Sequence, residues 1–425
     1  MTGTATERLR LPTGDDVRAL PLWVKAAAIY LAMRLVSGLL LAQAADQAGF
    51  FPGVQPGVVG PTEDDLTLTL NWDARWYGEI YENGYPDEIP VNPDTGRAEQ
   101  NPWAFYPAYP YAVRLVATLL GSDFATTAPL LALVAGLGAA LVMARLLVES
   151  LPSGPRVEVA ALSVVAVWAA CPVSPVLQMA YTESFSMLLL VTVLLFLRRE
   201  WWWAAGVAAL VLGLTRPIAL PLIVVVAVGL WLRWRARADR PIAPREAVAM
   251  LWTFGATGLS GILWTTIAAL ATGRRDAYPA TMTAWRSTDE IDPIAPWKRT
   301  VEAALETHDK TWVLSALGLL VPLALALAML LPQVARGLDL RLRVWSAAYA
   351  LYLLAVVDGH TSIFRYLIPL FPLLALLVGA HRDPPRWLGL RTTFWLVAGV
   401  VGQVGWIWWL VVFEPPPGGY GDWPP

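Results

Sequence analysis

The stretch "ATTAPLLALVAGLGAALVMARLLV", residues 125–148, decides the class of fold. It carries one charge, Arg145, close to its end, and exceeds the roughly 20 mostly apolar residues an α-helix needs to cross hydrocarbon. Comparable runs lie near 22–45, 157–173, 180–197, 201–214, 217–232, 247–271, 311–332, 344–357, 364–380 and 393–413. Together they predict an all-α polytopic membrane protein of about eleven transmembrane helices. The runs 201–214 and 344–357 are short, so their boundaries are the least fixed. Ala42-Gln43-Ala44 resembles a signal-peptide cleavage site, but the first run is too long for one and contains Lys25 and Arg34, so it is read as an anchor.

Whole-chain composition agrees. Of 425 residues, 56% are hydrophobic and 15% charged, and mean hydropathy is +0.51, a balance suited to a chain solvated by lipid. The net charge of −2 argues against a nucleic-acid partner, and the single cysteine, Cys171, excludes an internal disulfide framework or a cysteine metal cluster. Arginine far outnumbers lysine (Lys25, Lys298, Lys310), which points by composition to a GC-rich bacterial genome. Residues 1–425 read as one integral membrane domain, with no internal repeat and no soluble domain.

Short cytoplasmic loops collect Lys and Arg. Placing Arg8, Arg10 and Arg18 inside also places Arg145/Arg156, Arg198/Arg199, Arg233 to Arg245, Arg336/Arg341/Arg343 and Arg382/Arg386/Arg391 inside. This holds only if "FYPAYPYAVRLVATLL" (105–120), which contains Pro107, Pro110 and Arg114, lies in the interface or re-enters rather than crossing. The long segments 46–124 and 272–310 and the turn "DGHTSIFRY" (358–366) then lie outside, in a cell membrane of bacterial type. The 414–425 tail, rich in Pro and Gly, reads as disordered. Loop 272–310 reads as a mixed-charge solvated loop whose Trp285 and Trp297 dip into headgroups, or as a basic surface for anionic lipid or phosphate.

Within the first outer loop, "NWDARWYGEIYENGY" (71–85) predicts a short helix capped by Asn71, ended by Asn83-Gly84 and lying flat at the membrane surface. On it Asp73, Trp76, Tyr77 and Ile80 share a face. The helix N-terminus favours the ionised carboxylate, while burial beside Trp76 opposes it. From the residues alone Asp73 is either a reactive carboxylate or a cap paired with Arg75.

This segment, followed by "FYPAYP" (105–110), "YTESFSMLLL" (181–190) and "LTRPIALP" (214–221), resembles the GPI mannosyltransferase 2 (PIG-V) family and its bacterial relatives, of the GT-C class of membrane glycosyltransferases. The likeness runs through residues 20–380 in the family's motif order and is weakest in the last third, where "FRYLIPLFP" (364–372) is the remaining match. It implies a GT-C-type bundle with juxtamembrane helices in the first outer loop. It also implies inverting transfer of mannose from a polyprenyl-phosphate donor to a hydroxyl of a glycolipid or glycan at the outer face. Asp73 matches the family's general base.

One base suffices for such chemistry, because phosphate leaves without a general acid, whereas glycosidases use two carboxylates. Charge growing on the leaving phosphate calls for cations, and Arg216, His360 and Arg365 sit at outer helix ends. Arg216 has a plainer reading as a snorkelling helix cap, and Asp358, His360 and Arg365 as a polar turn. Glu183, at the start of a span, is expected to orient the sugar or hold an arginine, or else to complement the helix dipole. Trp72, Trp76, Tyr77, Tyr106, Tyr109 and Tyr181 are candidates for the sugar and acceptor pocket, with belt anchoring as the alternative.

No cofactor beyond the lipid-linked donor is expected. The pairs Asp64/Asp65 and Asp87/Glu88 and the isolated His308 and His381 lack the spacing of a dedicated metal site, so no metal is expected. The competing reading is a multi-pass transporter or lipid-linked sugar flippase. Transporters place polar residues mid-membrane on broken helices of paired repeats, whereas the informative charges here, Arg34 apart, gather at one set of helix ends. The acceptor and the partner oligomer are not specified by any residue pattern.

Overall fold

A computed structural model describes residues 19–45, 67–286, 295–307, 310–357, 362–383 and 385–408. Asp64, Asp65, His308, Asp358, His360 and the 414–425 tail lie outside the described residues. Among those described, the chain is helical, with one isolated β-bridge, Val91 to Ala98, and no strand. In chain order the helices are α1 Leu22–Ala45, α2 Asp73–Asn83, α3 Ala108–Leu120, α4 Phe124–Ser150, α5 Val157–Ala170 and α6 Glu183–Arg198. They continue with α7 Trp202–Gly213, α8 Ala219–Arg235, α9 Pro244–Ser260, α10 Leu263–Thr272, α11 Ala277–Arg286 and α12 Ala295–Thr307. The last are α13 Lys310–Ala328, α14 Pro332–Ala335, α15 Leu340–Val356, α16 Ile363–Tyr366, α17 Pro372–Leu377 and α18 Leu388–Trp406.

Of these, α1 and α4 are long and apolar enough to cross a membrane, and α9 with α10 would make a third if the pair, bent by 51°, is one span. The chain is a helical membrane protein on this measure. Two expected spans are interrupted. The 247–271 run breaks at Gly261 between α9 and α10. The 364–380 run is not one helix but α16, a 3-10 turn over Ile368–Leu370 and α17, because Pro369 and Pro372 lack the N–H that a continuous helix would need. Helix α3 buries Tyr109, Val113 and Ala117 and exposes Leu115, Leu119 and Leu120. Its length of about 20 Å is short for a crossing.

Close helix approaches depend on small residues, as in other bundles without a hydrophobic drive between helices. A Cβ at Gly213 would sit 2.5 Å from the Ser260 carbonyl oxygen, so α7 and α9 touch backbone to backbone there. Backbone cannot yield as a side chain can. Gly213→Leu is expected to destabilise by about 1–3 kcal/mol, read as a lower unfolding temperature in detergent.

Two groups of ion-paired residues lie toward opposite ends of α6. At one end Arg145 and Arg199 pair with Glu149 (2.7 and 2.6 Å), Arg198 and Arg341 with Asp339 (3.3 and 3.2 Å), and Arg233 with Glu246 (2.6 Å). Glu200 joins Arg240 and Arg233, and Lys25 pairs with Glu158 at 2.6 Å. Arg145, Arg198, Arg199, Arg233, Arg240 and Arg341, from four of the basic clusters, are thus held by acidic partners. The second charged group lies at the other end of α6, around Glu183, about 24 Å of helix from Arg199.

The geometry of helix α2 corrects one expectation. Tyr81 packs on Phe124 with ring centroids 5.4 Å apart, while Asp73 at the other end pairs with Arg365. Asn71 is not the cap: the N-cap is Trp72, at φ 57°, and no side chain caps the helix. The Asn71 carbonyl instead accepts the Ala74 N–H and the Tyr181 hydroxyl. Gly84, at φ 76°, ends the helix as expected.

Asp123 does cap α4, accepting the Thr126 N–H at 2.9 Å, which holds its carboxyl below the usual aspartate range. A depressed carboxylate contributes stability above its unfolded value of about 3.9 and loses it as pH falls below that. Asp123→Ala is expected to cost about 1 kcal/mol at neutral pH and less at pH 3, measured by thermal unfolding at both.

Trp285 and Trp297 also depart from expectation. Trp297 is buried and donates to the Leu353 carbonyl, and Trp285 packs edge-on against Trp76 and Phe105. Segment 272–310 supplies inward-facing helices, α11 and α12, because its aromatics find more apolar contact in the bundle than in headgroups.

Candidate functional site

Four segments far apart in sequence meet at the second charged group. Asp73 comes from the first turn of α2, Glu183 from the first residue of α6, Arg216 from the turn between α7 and α8, and Arg365 from α16. Arg365 Nη1 lies 2.6 Å from Asp73 Oδ2 and 3.2 Å from Glu183 Oε1. Arg216 Nη1 lies 2.8 Å from the same Glu183 oxygen. Two guanidiniums and two carboxylates thus form one connected, formally neutral cluster.

Local sequence explains each position. Glu183 opens α6, where free backbone N–H groups and the helix dipole favour a carboxylate. Arg216 precedes Pro217, which cannot extend α7 and leaves the side chain at a turn. Arg365 is set by Ser362, whose φ of 46° starts α16 and whose hydroxyl accepts from Arg365 Nη2 at 2.8 Å. Asp73's ion-pair partner is Arg365 rather than Arg75.

Aromatic rings line the cations. Arg365 lies over Tyr181 at 5.0 Å and over Tyr366 at 5.4 Å, and Arg216 lies over Tyr366 at 4.9 Å. Tyr366 was not singled out by sequence, although it directly follows Arg365. Its backbone is held by the Tyr349 hydroxyl, which donates to the Tyr366 carbonyl at 2.9 Å. On the α2 side, Tyr77 is 3.3 Å from the Thr182 hydroxyl, and Trp76 stacks on Phe105. Burial, with the Asp73 charge adding to it, pushes the Tyr77 phenol well above its ordinary range, so it serves as a neutral hydrogen-bonding group and not as a base.

The pocket candidates divide. Tyr181 lies under Arg365 and Tyr77 reaches Thr182 beside Glu183, whereas Trp76 packs on Phe105 and Trp285, and Trp72 precedes Asp73 as the N-cap of α2. Tyr109 is fully buried with its hydroxyl on the Ala128 carbonyl at 2.8 Å, which pins α3 to α4. Tyr106 belongs to a separate aromatic group with Trp103, Trp264 and Tyr278, its hydroxyl 3.2 Å from that of Tyr278. Both phenols are driven far above their ordinary range by burial. Their hydroxyls are engaged in packing rather than turned to Asp73. His360 lies outside the described residues.

Exposure distinguishes the four charged side chains. Glu183 is 1% exposed, Arg365 4% and Arg216 13%, whereas Asp73 is 21% exposed. Asp73 is therefore the group an incoming molecule meets first, with the cations behind it. Glu183 Oε2 and Arg365 Nε are buried without a hydrogen-bond partner, which leaves the inner pair a donor and an acceptor short of saturation. Among the described residues no three His, Cys, Asp or Glu side chains group as metal ligands.

No family model matches the chain, and a search of curated proteins finds no match. What the site can do therefore rests on its own geometry. It presents an accessible carboxylate against a buried pair of guanidiniums, which suits proton abstraction beside a stabilised anion.

Proposed function

We propose that the chain is an inverting glycosyltransferase that moves mannose from a polyprenyl-phosphate donor to a hydroxyl of a glycolipid or glycan acceptor. The carrying observation is that Asp73, Glu183, Arg216 and Arg365, from four of the segments that resemble the PIG-V family, adjoin one another in one cluster whose most exposed member is Asp73. In this reading about eleven helices cross a bacterial plasma membrane, and the cluster faces the exterior.

Asp73 takes the acceptor proton as the acceptor oxygen bonds to the anomeric carbon from the face opposite the phosphate. The carbon–oxygen bond to phosphate breaks with its electron pair, giving polyprenyl phosphate. Arg365 and Arg216 offset the charge that collects on it. Donor phosphate and Asp73 compete for Arg365, so the incoming donor loosens the ion pair and frees the carboxylate. Glu183 keeps both guanidiniums in place, and no metal or cofactor takes part.

Purified protein in liposomes, given radiolabelled polyprenyl-phosphate mannose and an envelope glycolipid extract, tests this. Label appearing in the extract is the expected result. Donor that changes leaflet without losing its sugar would instead assign a flippase, and label that stays put in every extract would leave no transferase.

A further inference from the structure

Arg34 lies about halfway along α1 and is 4% exposed, at a depth where a cation is costly unless it is partnered. It faces no carboxylate among the described residues. Its guanidinium donates to the Ser174 carbonyl and to the Ala169 carbonyl at 2.5 Å. Ala169 is in the last turn of α5, whose terminal carbonyls lack intrahelical donors and carry the negative end of the helix dipole. Gln403 of α18 completes the arrangement. Its Nε2 donates to the Ala170 carbonyl at 3.0 Å and to Ser174 Oγ at 3.1 Å, and its Oε1 accepts from Ser37 Oγ at 2.7 Å.

The segment held in this way, 171–182, is the non-α-helical link between α5 and α6. Downstream of Ser174 it makes its own attachments. The Ala180 N–H donates to the Thr69 carbonyl at 2.8 Å, and the Tyr181 hydroxyl to the Asn71 carbonyl at 3.0 Å. It then runs directly into Glu183. One end of the link is therefore fixed by Arg34 and Gln403, while the other fixes the residues just before Asp73 and delivers Glu183.

We infer that Arg34 is a positioning residue which, with Gln403, clamps the 171–182 link and through it sets both carboxylates of the cluster. It touches no reacting atom. A planar fork reaching two carbonyls on different turns is a task for Arg rather than for a single ammonium. The inference rests on the proposed function only where turnover is the readout.

The test uses the full chain carrying Cys171→Ala, with Thr69→Cys and Ala180→Cys, oxidised by copper phenanthroline in native membranes. With Arg34 present the pair is expected to cross-link readily. Arg34→Met should slow cross-linking about tenfold, and Arg34→Lys should restore part of the rate. Without the cysteine pair, Arg34→Met should lower kcat by about 10²-fold, as a displaced catalytic group does, with donor KM changed much less, and Arg34→Lys should again recover part. If Arg34→Met fails to accumulate, Gln403→Leu carries both readouts in the same direction.

Unchanged cross-linking in these variants would show that the clamp does not hold the link. Slowed cross-linking with normal kcat would show that the link does not set the site. Cross-linking as expected in a protein that transfers no sugar overturns the transferase and leaves the clamp standing.

Discussion

Asp73→Asn is expected to lower glycosyl transfer by about 10²- to 10⁴-fold, the range a positioned general base supplies, while donor binding is kept or strengthened, because the carboxylate that competes with the phosphate for Arg365 is gone. The amide keeps the shape of the carboxylate and an oxygen facing Arg365, and Arg365 retains Glu183 at 3.2 Å. What disappears is basicity at the one charged group of the cluster that is open to an incoming hydroxyl. Turnover at saturating donor measures it directly. A variant within tenfold of the parent would remove Asp73 from the chemistry and leave it as a structural partner of Arg365.

Arg365→Ala should act on stability as well as on activity. It leaves Asp73 without its ion pair and Glu183 with Arg216 alone, in a site where Glu183 is 1% exposed. Breaking a buried pair from one side costs about 3–5 kcal/mol, because the remaining charge is stranded in a low-dielectric setting. A fall in unfolding temperature should therefore accompany weaker donor binding and slower transfer. Pairing Arg365→Gln with Glu183→Gln separates charge from packing: the double variant should be more stable than the sum of the single losses predicts. Strict additivity would mean that the two side chains are neighbours without being energetic partners.

The helices were largely legible in the sequence, and the reason is local. A lipid-facing helix must be apolar over its length, so the run 22–45 coincides with α1 and 125–148 lies within α4. Legibility fell where the chain departs from regular helix. Pro369 and Pro372 break the 364–380 run, and the N-cap of α2 fell on Trp72 rather than Asn71 because the backbone there takes a positive φ that residue type does not announce. Of the site, Asp73, Glu183, Arg216 and Arg365 stood out as charges beside apolar runs. Their mutual contacts did not, since the pairing of Asp73 with Arg365 joins residues from opposite parts of the chain. Tyr366 was missed because an aromatic next to an arginine is unremarkable until a second arginine is found over the same ring.

Arg34 marks the boundary between the two kinds of information. Its position inside an apolar run already required a partner, but that partner is a pair of backbone carbonyls, one in the last turn of α5 and one in the link after it, which no residue type advertises. By itself the sequence determined a helical chain for lipid surroundings and the residues costly enough to bury that they need company, because hydrophobicity and charge are properties of single side chains. Only the tertiary structure decided which carboxylate meets which guanidinium and what holds them there, because those depend on how helices from distant parts of the chain pack against one another.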